Sequence, residues 1–585
     1  MYYLDTANGA SMFREARQHT DFVDKSALID DLYRYARKEN KYIAITKPRR
    51  FGKTMAANML SAFFTKGQDA EELFSGLVVE ERKEIWGLRN SFHVIHMDFL
   101  PELGEAYSFT QFLDRIRTRL RMDLVEAFPA MEVTDVDDLP SLLSKTGESF
   151  VFILDEWDAV FESGFMTEED RLSYVLFLRG LFKNRAYVHL ALLTGILPIA
   201  KYTSGSPMNM FHEFNSFGRI GFEEYYGFSE EEIQGLIENR RARVQERQVK
   251  VQERQVKAQE RQVKAQERKV KAQESQTQAP DRRVQAQERQ AGANSMRTTV
   301  PDIEEIRLWY DGYVRRSDGG HIYNPDSVCK ALIDGRCQNN WVGTGPMDDI
   351  ANLIAGNAFE IRGDILRMLA GESIEIQLDG FGAEERVPTT KKDILSAMVV
   401  YGFLAYHDGK LSIPNLELTQ KFSRVLDRGT LGVHMTLEES RKLLEATLSG
   451  REKEVAAAIE RTHDEQIPFI VYSDENSLAC VIMYAYYAAS DWYEVRREEK
   501  SGKGFVDFLF SPLDHRHIPI IMELKYNRSA RAAIAQIRDK NYIQRMKDSP
   551  EVLFVGINYS TRTKKHTCLI RRTNYAAEMA LKDSE

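Results

Sequence analysis

The stretch Tyr42–Thr54, YIAITKPRRFGKT, decides the fold. YIAIT is a short β-rich run that stops at a basic turn, and the MAANMLSAFF that follows has helical spacing, with Met55, Met59, Ala62 and Phe63 on one face. Strand, turn and helix is the context a phosphate-binding loop requires. A phosphate cradle needs backbone N–H groups converging at a helix N-terminus, a cation for the β- and γ-phosphates, and a hydroxyl for Mg²⁺. Gly52, Lys53 and Thr54 supply these, with Arg50 and Phe51 leading into the turn and counted among the nucleotide-binding residues. The glycine usual five positions before Gly52 is Lys47 here, so FGKT alone does not separate a nucleotide site from chance.

Working outward, HVIHMDFL (His93–Leu100), SFVFILDEWD (Ser149–Asp158) and VHLALLTGI (Val188–Ile196) read as further strands. Helix-like segments lie between them, Phe109–Phe128 and Glu168–Lys183 among them. Apolar strands alternating with helices predict a mostly parallel, doubly wound α/β sheet. FVFILDEWD places two carboxylates at a strand end: Asp155 to hold Mg²⁺ through water, Glu156 to orient or deprotonate the attacking water. An ordinary acidic strand end is the competing reading, and the upstream GKT loop weighs against it. Thr194 and Gly195 close the next strand, where a polar sensor of the γ-phosphate belongs.

After Glu238 the composition changes. VQERQVK begins at Val244 and again at Val251, followed by AQERQVK at Ala258 and AQERKVK at Ala265. The apolar residues occupy repeat positions one and six, which is not the a/d seam of a coiled coil. Glu precedes Lys by four residues in every unit, from Glu246–Lys250 to Glu267–Lys271, a pattern that supports an isolated helix. A solvated single helix and a disordered tract both fit, and residues 243–296 are read as an insertion without catalytic residues. Order returns at Pro301: IRLWYDGYV ends a helix, IYNPDSVCKAL begins another near Asn324–Pro325, and KKDILSAMVVYGFLAYHDGKLSIPN is a helix leading into a hairpin at Asp408–Gly409.

Near the C-terminus, GKGFVDFLF (Gly502–Phe510) and IPIIMELKY (Ile518–Tyr526) read as a two-stranded hairpin. Asp507 lies on the first strand; Glu523 and Lys525 lie on the second and point the same way by alternation. Two carboxylates on adjacent strands can chelate Mg²⁺, and a lysine beside them can position or activate water for phosphodiester attack. A structural hairpin with an exposed Asp/Glu/Lys face is the alternative.

KPRRFGKT resembles the loop of bacterial AAA-ATPase-like proteins that are usually fused to a PD-(D/E)XK nuclease-like domain. The resemblance extends through FVDKSALI (Phe22–Ile29), ILDEWD, LLTGILPIAK, YYGFSEEEI (Tyr225–Ile233), WYDGY (Trp309–Tyr313), IYNP (Ile322–Pro325) and IPNLE (Ile413–Glu417), in family order. That family also lacks the first loop glycine and usually has arginine where Lys47 stands. The resemblance leaves the arginine finger open between Arg49, Arg50 and other residues, the first two serving equally well as structural groups. It also covers the D…ExK core and implies a further carboxylate upstream, for which Glu475, opening ENSLACVIMYAYYAA, and Glu498 compete. Gln536 and Tyr542 match the family's helix after the lysine strand. Phe505 stands where the family commonly has arginine, which removes a substrate-contacting cation and no metal ligand.

A chain of 585 residues is too long for one core. Composition (43% hydrophobic, 10% aromatic) is that of an ordinary soluble protein. No apolar run approaches the ~20 residues that span a bilayer. The N-terminus lacks the order of a signal peptide. Four cysteines without metal-ligand spacing read as reduced thiols, and the expected location is cytoplasmic. The net charge of −9 does not advertise nucleic-acid binding, but Asp491–Glu585 holds 18 Lys and Arg against 13 Asp and Glu.

The expected organisation is a P-loop ATPase domain at 1–242, the heptad insertion at 243–296, a helical middle with a small hairpin at 297–430, a helical linker at 431–468 and a C-terminal α/β nuclease-like domain at 469–585. The expected function is ATP hydrolysis coupled to metal-dependent cleavage of nucleic acid. ATP and Mg²⁺ are the cofactors, Mn²⁺ is admitted at the nuclease site, DNA or RNA is the partner, no membrane is involved, and a homo-oligomer is compatible. The alternatives are a nucleotide switch whose nuclease-like domain binds without cutting, and a scaffold.

Overall fold

The computed structural model describes residues 1–199, 208–273, 300–340, 358–369, 371–382, 388, 390–427, 437–466, 475–501, 504–514, 516–547 and 549–584. Five strands form the first sheet: β1 (Tyr42–Thr46), β2 (His93–Asp98), β3 (Phe150–Asp155), β4 (Val188–Gly195) and β5 (His212–Phe214). They are all parallel, in the order β2-β3-β4-β1-β5. Alternate residues face opposite layers. Phe150, Phe152 and Leu154 join Phe112, Ile116 and Tyr174 of the helices Phe109–Ala127 and Glu168–Phe182. Val151 and Ile153 join Leu28, Leu32 and Phe63 of the helices Ala27–Lys38 and Lys53–Phe64. The sheet is therefore doubly wound, as expected, and each large apolar side chain buried in it contributes about 1.5–3 kcal/mol.

Local chemistry trims the expected strands. β2 stops at Asp98 because the Asp98 carboxylate accepts the Leu100 N–H at 3.0 Å and caps the helix Phe99–Leu103. β3 stops at Asp155 because Glu156 takes a left-handed conformation (φ 51°). Met55 does not join the inward face expected of it. It is 41% exposed, while Ala56 and Ala57 are buried, because the helix Lys53–Phe64 sits deep enough to bury most of its circumference.

The heptad repeat lies in one helix, Glu230–Gln273, of 44 residues, about 66 Å long at 1.5 Å per residue. Its first turns, with Ile233, Leu236 and Ile237, are buried against Ile306, Trp309, Tyr310 and Tyr323 of the middle region. Beyond them Glu246 and Lys250 pair on an exposed face. Deleting Val244–Lys271 is expected to shift the melting temperature by no more than about 2 °C, since the repeat sequence carries no sustained apolar seam; differential scanning calorimetry checks this, and a larger fall would show that the repeat packs on the body.

The middle region carries the ribbon β6 (Tyr313–Val314) and β7 (His321–Ile322), then β8 (Ile374–Glu375), β9 (Ala405–His407) and β10 (Lys410–Ser412). β9 and β10 form the expected hairpin, with Asp408 (φ 48°) and Gly409 (φ 76°) in its turn. The helices Ile303–Tyr310, Pro325–Asp334, Lys391–Val400 and Leu416–Asp427 surround these strands.

The last sheet runs β11 (Tyr493–Ser501), β12 (Gly504–Pro512), β13 (Ile520–Tyr526), β14 (Val552–Ser560), β15 (Lys565–Thr573) in chain order. β13 and β14 are parallel, bridged by the helix Ala530–Asp539, and the other neighbours are antiparallel. One of its faces shares a core with the middle region, where Phe508, Met522 and Leu478 join Leu418 and Phe403. Among the described residues, Cys329, Cys337 and Cys568 are free thiols, and no helix is long and apolar enough to cross a membrane.

Candidate functional sites

Parallel pairing brings the candidate nucleotide residues to one rim. Asp98 stands opposite Asp155, Asp155 opposite Thr194, and Thr46 opposite Gly195, all at carboxyl ends of strands. Open α/β sheets bind ligands outside that rim. β4 lies between β1 and β3, so Thr194 falls between the loop after β1 and Asp155.

The loop 47–52 reverses through two left-handed residues, Arg50 (φ 71°) and Gly52 (φ 90°), and Gly52 caps the helix that begins at Lys53. A Cβ on Gly52 would meet nothing within 4 Å, so the glycine serves backbone conformation and not packing. Lys53 is 5% exposed; its Nζ donates to the Pro48 carbonyl at 3.2 Å and stands 4.0 Å from Glu156 Oε1. The side chains of Arg50 and Phe51 are engaged elsewhere: Arg50 with Asp326 at 3.1 Å, and buried Phe51 edge-on to Tyr313 at 5.3 Å between centroids. What these two can offer a phosphate is backbone. Arg49 pairs with Glu162 at 3.1 Å.

Asp155 is fully buried, and its pKa is pushed up to about 7, first by burial and then by the Glu156 charge, against the Thr54 hydroxyl bond that lowers it. Asp155 Oδ2, Thr194 Oγ1 and Thr46 Oγ1 are buried without a hydrogen-bond partner. Orphaned oxygens beside a threonine hydroxyl suit a hydrated divalent cation. Glu156 sits on strained backbone at the same rim, a recurrent property of working residues.

Two carboxylates here escape sequence reasoning. Asp158, the last residue of ILDEWD, is buried and accepts the N–H groups of Ile196 (3.0 Å) and Leu197 (2.6 Å), so it fixes the turn after Thr194. Burial pushes its pKa up to about 7 against those bonds. Asp98 ends an apolar run as Asp155 does, and that pattern was the available signal.

Asp155 yields a pH prediction. A carboxyl raised in the folded state binds its proton up to about pH 7, whereas the unfolded chain releases it near pH 4. The folded state thus loses relative stability as pH rises from about 4 to 7. Asp155→Asn, which is always neutral, is expected to raise the metal-free melting temperature at pH 8 by the equivalent of up to a few kcal/mol, and by little at pH 4. Melting curves at the two pH values check it; equal shifts would refute it.

In the C-terminal sheet the expected hairpin forms from β12 and β13, and continuing its register by one step sets Asp507 opposite Glu523. The face is not exposed: Glu523 is 1% and Lys525 4% accessible. Lys525 Nζ donates to Glu523 Oε1 at 3.0 Å, Gln536 Nε2 donates to the same oxygen, and Asp507 Oδ2 accepts the Leu524 N–H at 2.6 Å. Glu523 Oε2 is buried without a hydrogen-bond partner. Burial and the Asp507 charge raise the Glu523 pKa, and Lys525 restrains the rise. Gln536 lies in the helix Ala530–Asp539; Tyr542 starts the 3₁₀ turn Tyr542–Met546 that follows left-handed Asn541. Glu475 opens the helix Glu475–Ala485 and Glu498 lies on β11, but their side chains fall outside the described ones. Phe505 sits on β12 opposite Lys500. Among the described residues, no group of three or more His, Cys, Asp or Glu has metal-holding geometry, so the described donors are two carboxylates, one with an orphaned oxygen.

Comparison with known proteins finds a family match over each of the two regions. Residues 8–203 match the family model of a predicted AAA-ATPase, spanning β1 to β4, and residues 473–567 match that of the PD-(D/E)XK nuclease superfamily, spanning β11 to β14. No curated protein and no solved structure matches the chain. The chain therefore carries an AAA-ATPase-like domain at its N-terminus and a PD-(D/E)XK nuclease superfamily domain at its C-terminus.

Proposed function

We propose that the chain binds and hydrolyses ATP and couples this to metal-dependent cleavage of nucleic acid. The supporting observation is that in each matched domain a candidate metal-holding carboxylate keeps a buried oxygen without a hydrogen-bond partner, Asp155 Oδ2 (with Asp158 Oδ1 nearby) and Glu523 Oε2, beside a cationic side chain and a second carboxylate. Leaving such an oxygen unsatisfied costs about 1–3 kcal/mol or more, which a bound cation removes.

At the first site Lys53 meets the β/γ-phosphates, the Thr54 hydroxyl and Asp155 hold Mg²⁺, and Thr194 contacts the γ-phosphate. Glu156 accepts the proton of the attacking water. At the second, Asp507 and Glu523 hold Mg²⁺ or Mn²⁺, and Lys525 orients water and steadies charge developing on the phosphate. The metal, when bound, lowers the pKa of water and screens phosphate charge. Gln536 holds Glu523 in place, leaving Lys525 to turn from that carboxylate to the substrate.

Incubating the full chain with DNA and RNA, with and without ATP, in Mg²⁺ and in Mn²⁺, tests the reading. Cleavage supports it. ATP turnover with no cleavage in either metal would favour a nucleotide switch whose nuclease-like domain only binds.

A further inference from the structure

Arg50 and Phe51 turn their side chains out of the candidate phosphate site into the middle region. We propose that Asp326 and Glu417, contributed by that region, are positioning residues of the nucleotide site: they set the loop 47–52 through Arg50. The proposal rests on the nucleotide-site reading above and adds the residues that hold the loop in shape.

The sequence IYNPDS builds the first half of the device. Asn324 caps the helix Pro325–Asp334, its side chain accepting the N–H groups of Asp326 (3.0 Å) and Ser327 (3.3 Å), with Pro325 in the first turn. This places Asp326 Oδ2 3.1 Å from Arg50 Nη1 and 2.8 Å from Lys330 Nζ. The same Arg50 nitrogen donates to the Asn340 carbonyl at 3.0 Å. Glu417 holds Asn340 through the Asn340 backbone N–H. It is 1% exposed, accepts the Asn340 N–H at 2.6 Å on one oxygen and the Ser327 hydroxyl at 3.0 Å on the other, and its own carbonyl accepts from Asn339 at 2.8 Å. Burial raises the Glu417 pKa, and the Arg50 charge lowers it. One buried carboxylate thus anchors two partners of Arg50, the Asp326 helix through the Ser327 hydroxyl and Asn340 through its backbone N–H.

Neighbouring loop residues are gripped in the same way. Phe51 meets Tyr313, its carbonyl accepts the Gly227 N–H at 3.1 Å, and Gly227 lies so close to the middle region that an added Cβ would stand 2.2 Å from Ile322 Cγ2. A Cβ on Gly402 would stand 2.6 Å from Pro48 Cβ. An ion pair of side chains 25% and 33% exposed adds little by itself. Here it restrains a non-glycine residue at φ 71°, a conformation that persists only where its surroundings over-determine it. Arg49 is the internal contrast, because its partner Glu162 belongs to the sheet domain.

The consequence is that the phosphate loop is shaped by residues outside 1–242. Positioning of this kind acts on bound ATP and on the transition state alike, so its loss raises KM and spares kcat. In the full chain, Asp326→Ala is expected to raise the KM for ATP about tenfold with kcat within about twofold, and Asp326→Glu to recover most of the loss. Glu417→Gln, which keeps one acceptor oxygen and replaces the other with an NH₂ donor while removing the charge, is expected to fall between them, and Glu162→Ala to match the wild type. Amide hydrogen exchange over residues 47–54 without nucleotide is read in parallel. It is expected to quicken about tenfold in Asp326→Ala and stay unchanged in Glu162→Ala. Wild-type exchange rates in both Asp326→Ala and Glu417→Gln would overturn the proposal. A wild type that does not hydrolyse ATP would sink the ATPase reading, with the exchange data still deciding the positioning role. Should Asp326→Ala melt early, Asp326→Asn carries the same comparison.

Discussion

Lys53→Ala is expected to lower ATP hydrolysis by roughly a thousandfold and to weaken ATP binding, whereas Glu156→Gln is expected to stop turnover while nucleotide stays bound. The two differ because the groups differ. Lys53 is the buried cation of the rim, and its charge lowers the pKa values of both Asp155 and Asp158. On the proposed reading alanine removes the partner of the β/γ-phosphates and also lets those carboxyls climb further, so metal affinity near pH 7 should fall with it. Glu156→Gln leaves Asp155 and Lys53 in place, deletes the proton acceptor, and removes a charge that raises the Asp155 pKa, which favours the carboxylate form of Asp155. Equilibrium binding of ATP beside steady-state hydrolysis separates the two outcomes. Normal turnover by either variant would place the site elsewhere.

Much of this was legible in local pattern. A β-rich run, a basic turn ending in GKT and a helical period locate β1, its loop and Lys53, since each depends on neighbours a few residues apart. The hairpin of β12 and β13 was equally legible, because alternation fixes which side chains share a face and a short connection fixes the pairing. The insertion of β4 between β1 and β3 was not, since parallel neighbours are joined by crossovers whose spacing carries no order. Thr194 gains its place at the rim from that insertion. The contacts of the middle region with the loop 47–52 were illegible for the same reason. WYDGY and IYNP read as a helix end and a helix start, IPNLE only as a block of the resemblance, and tertiary contact alone shows Tyr313, Asp326 and Glu417 gathered near Arg50 and Phe51. Arg50 illustrates the limit: an arginine in a phosphate loop invites a role toward nucleotide, and its guanidinium is held by the middle region instead.

Asp507→Ala and Glu523→Ala are each expected to abolish metal-dependent cleavage, by roughly a thousandfold or more, while ATP hydrolysis continues. The two carboxylates oppose each other across β12 and β13, and on the proposed reading each would neutralise part of the charge of one cation. They fail for different reasons. Glu523 carries the orphaned oxygen and also holds Lys525 and Gln536, so alanine there removes a ligand and frees two donors at once. Asp507 ties the β13 backbone at Leu524, so its loss also loosens the strand that presents Glu523 and Lys525. Lys525→Ala should keep metal binding yet slow cleavage, because the ammonium orients water and offsets charge that grows only in the transition state. Removing that cation also leaves Asp507 and Glu523 to repel each other without relief, so metal should bind less readily at pH 6 than at pH 8 in this variant. Nucleic-acid binding should survive in all three, since a backbone partner is met by many dispersed Lys and Arg side chains. Cleavage assays, divalent-metal titrations and gel shifts on the same preparations separate these effects. Full cleavage by Glu523→Ala would remove the second site from the mechanism.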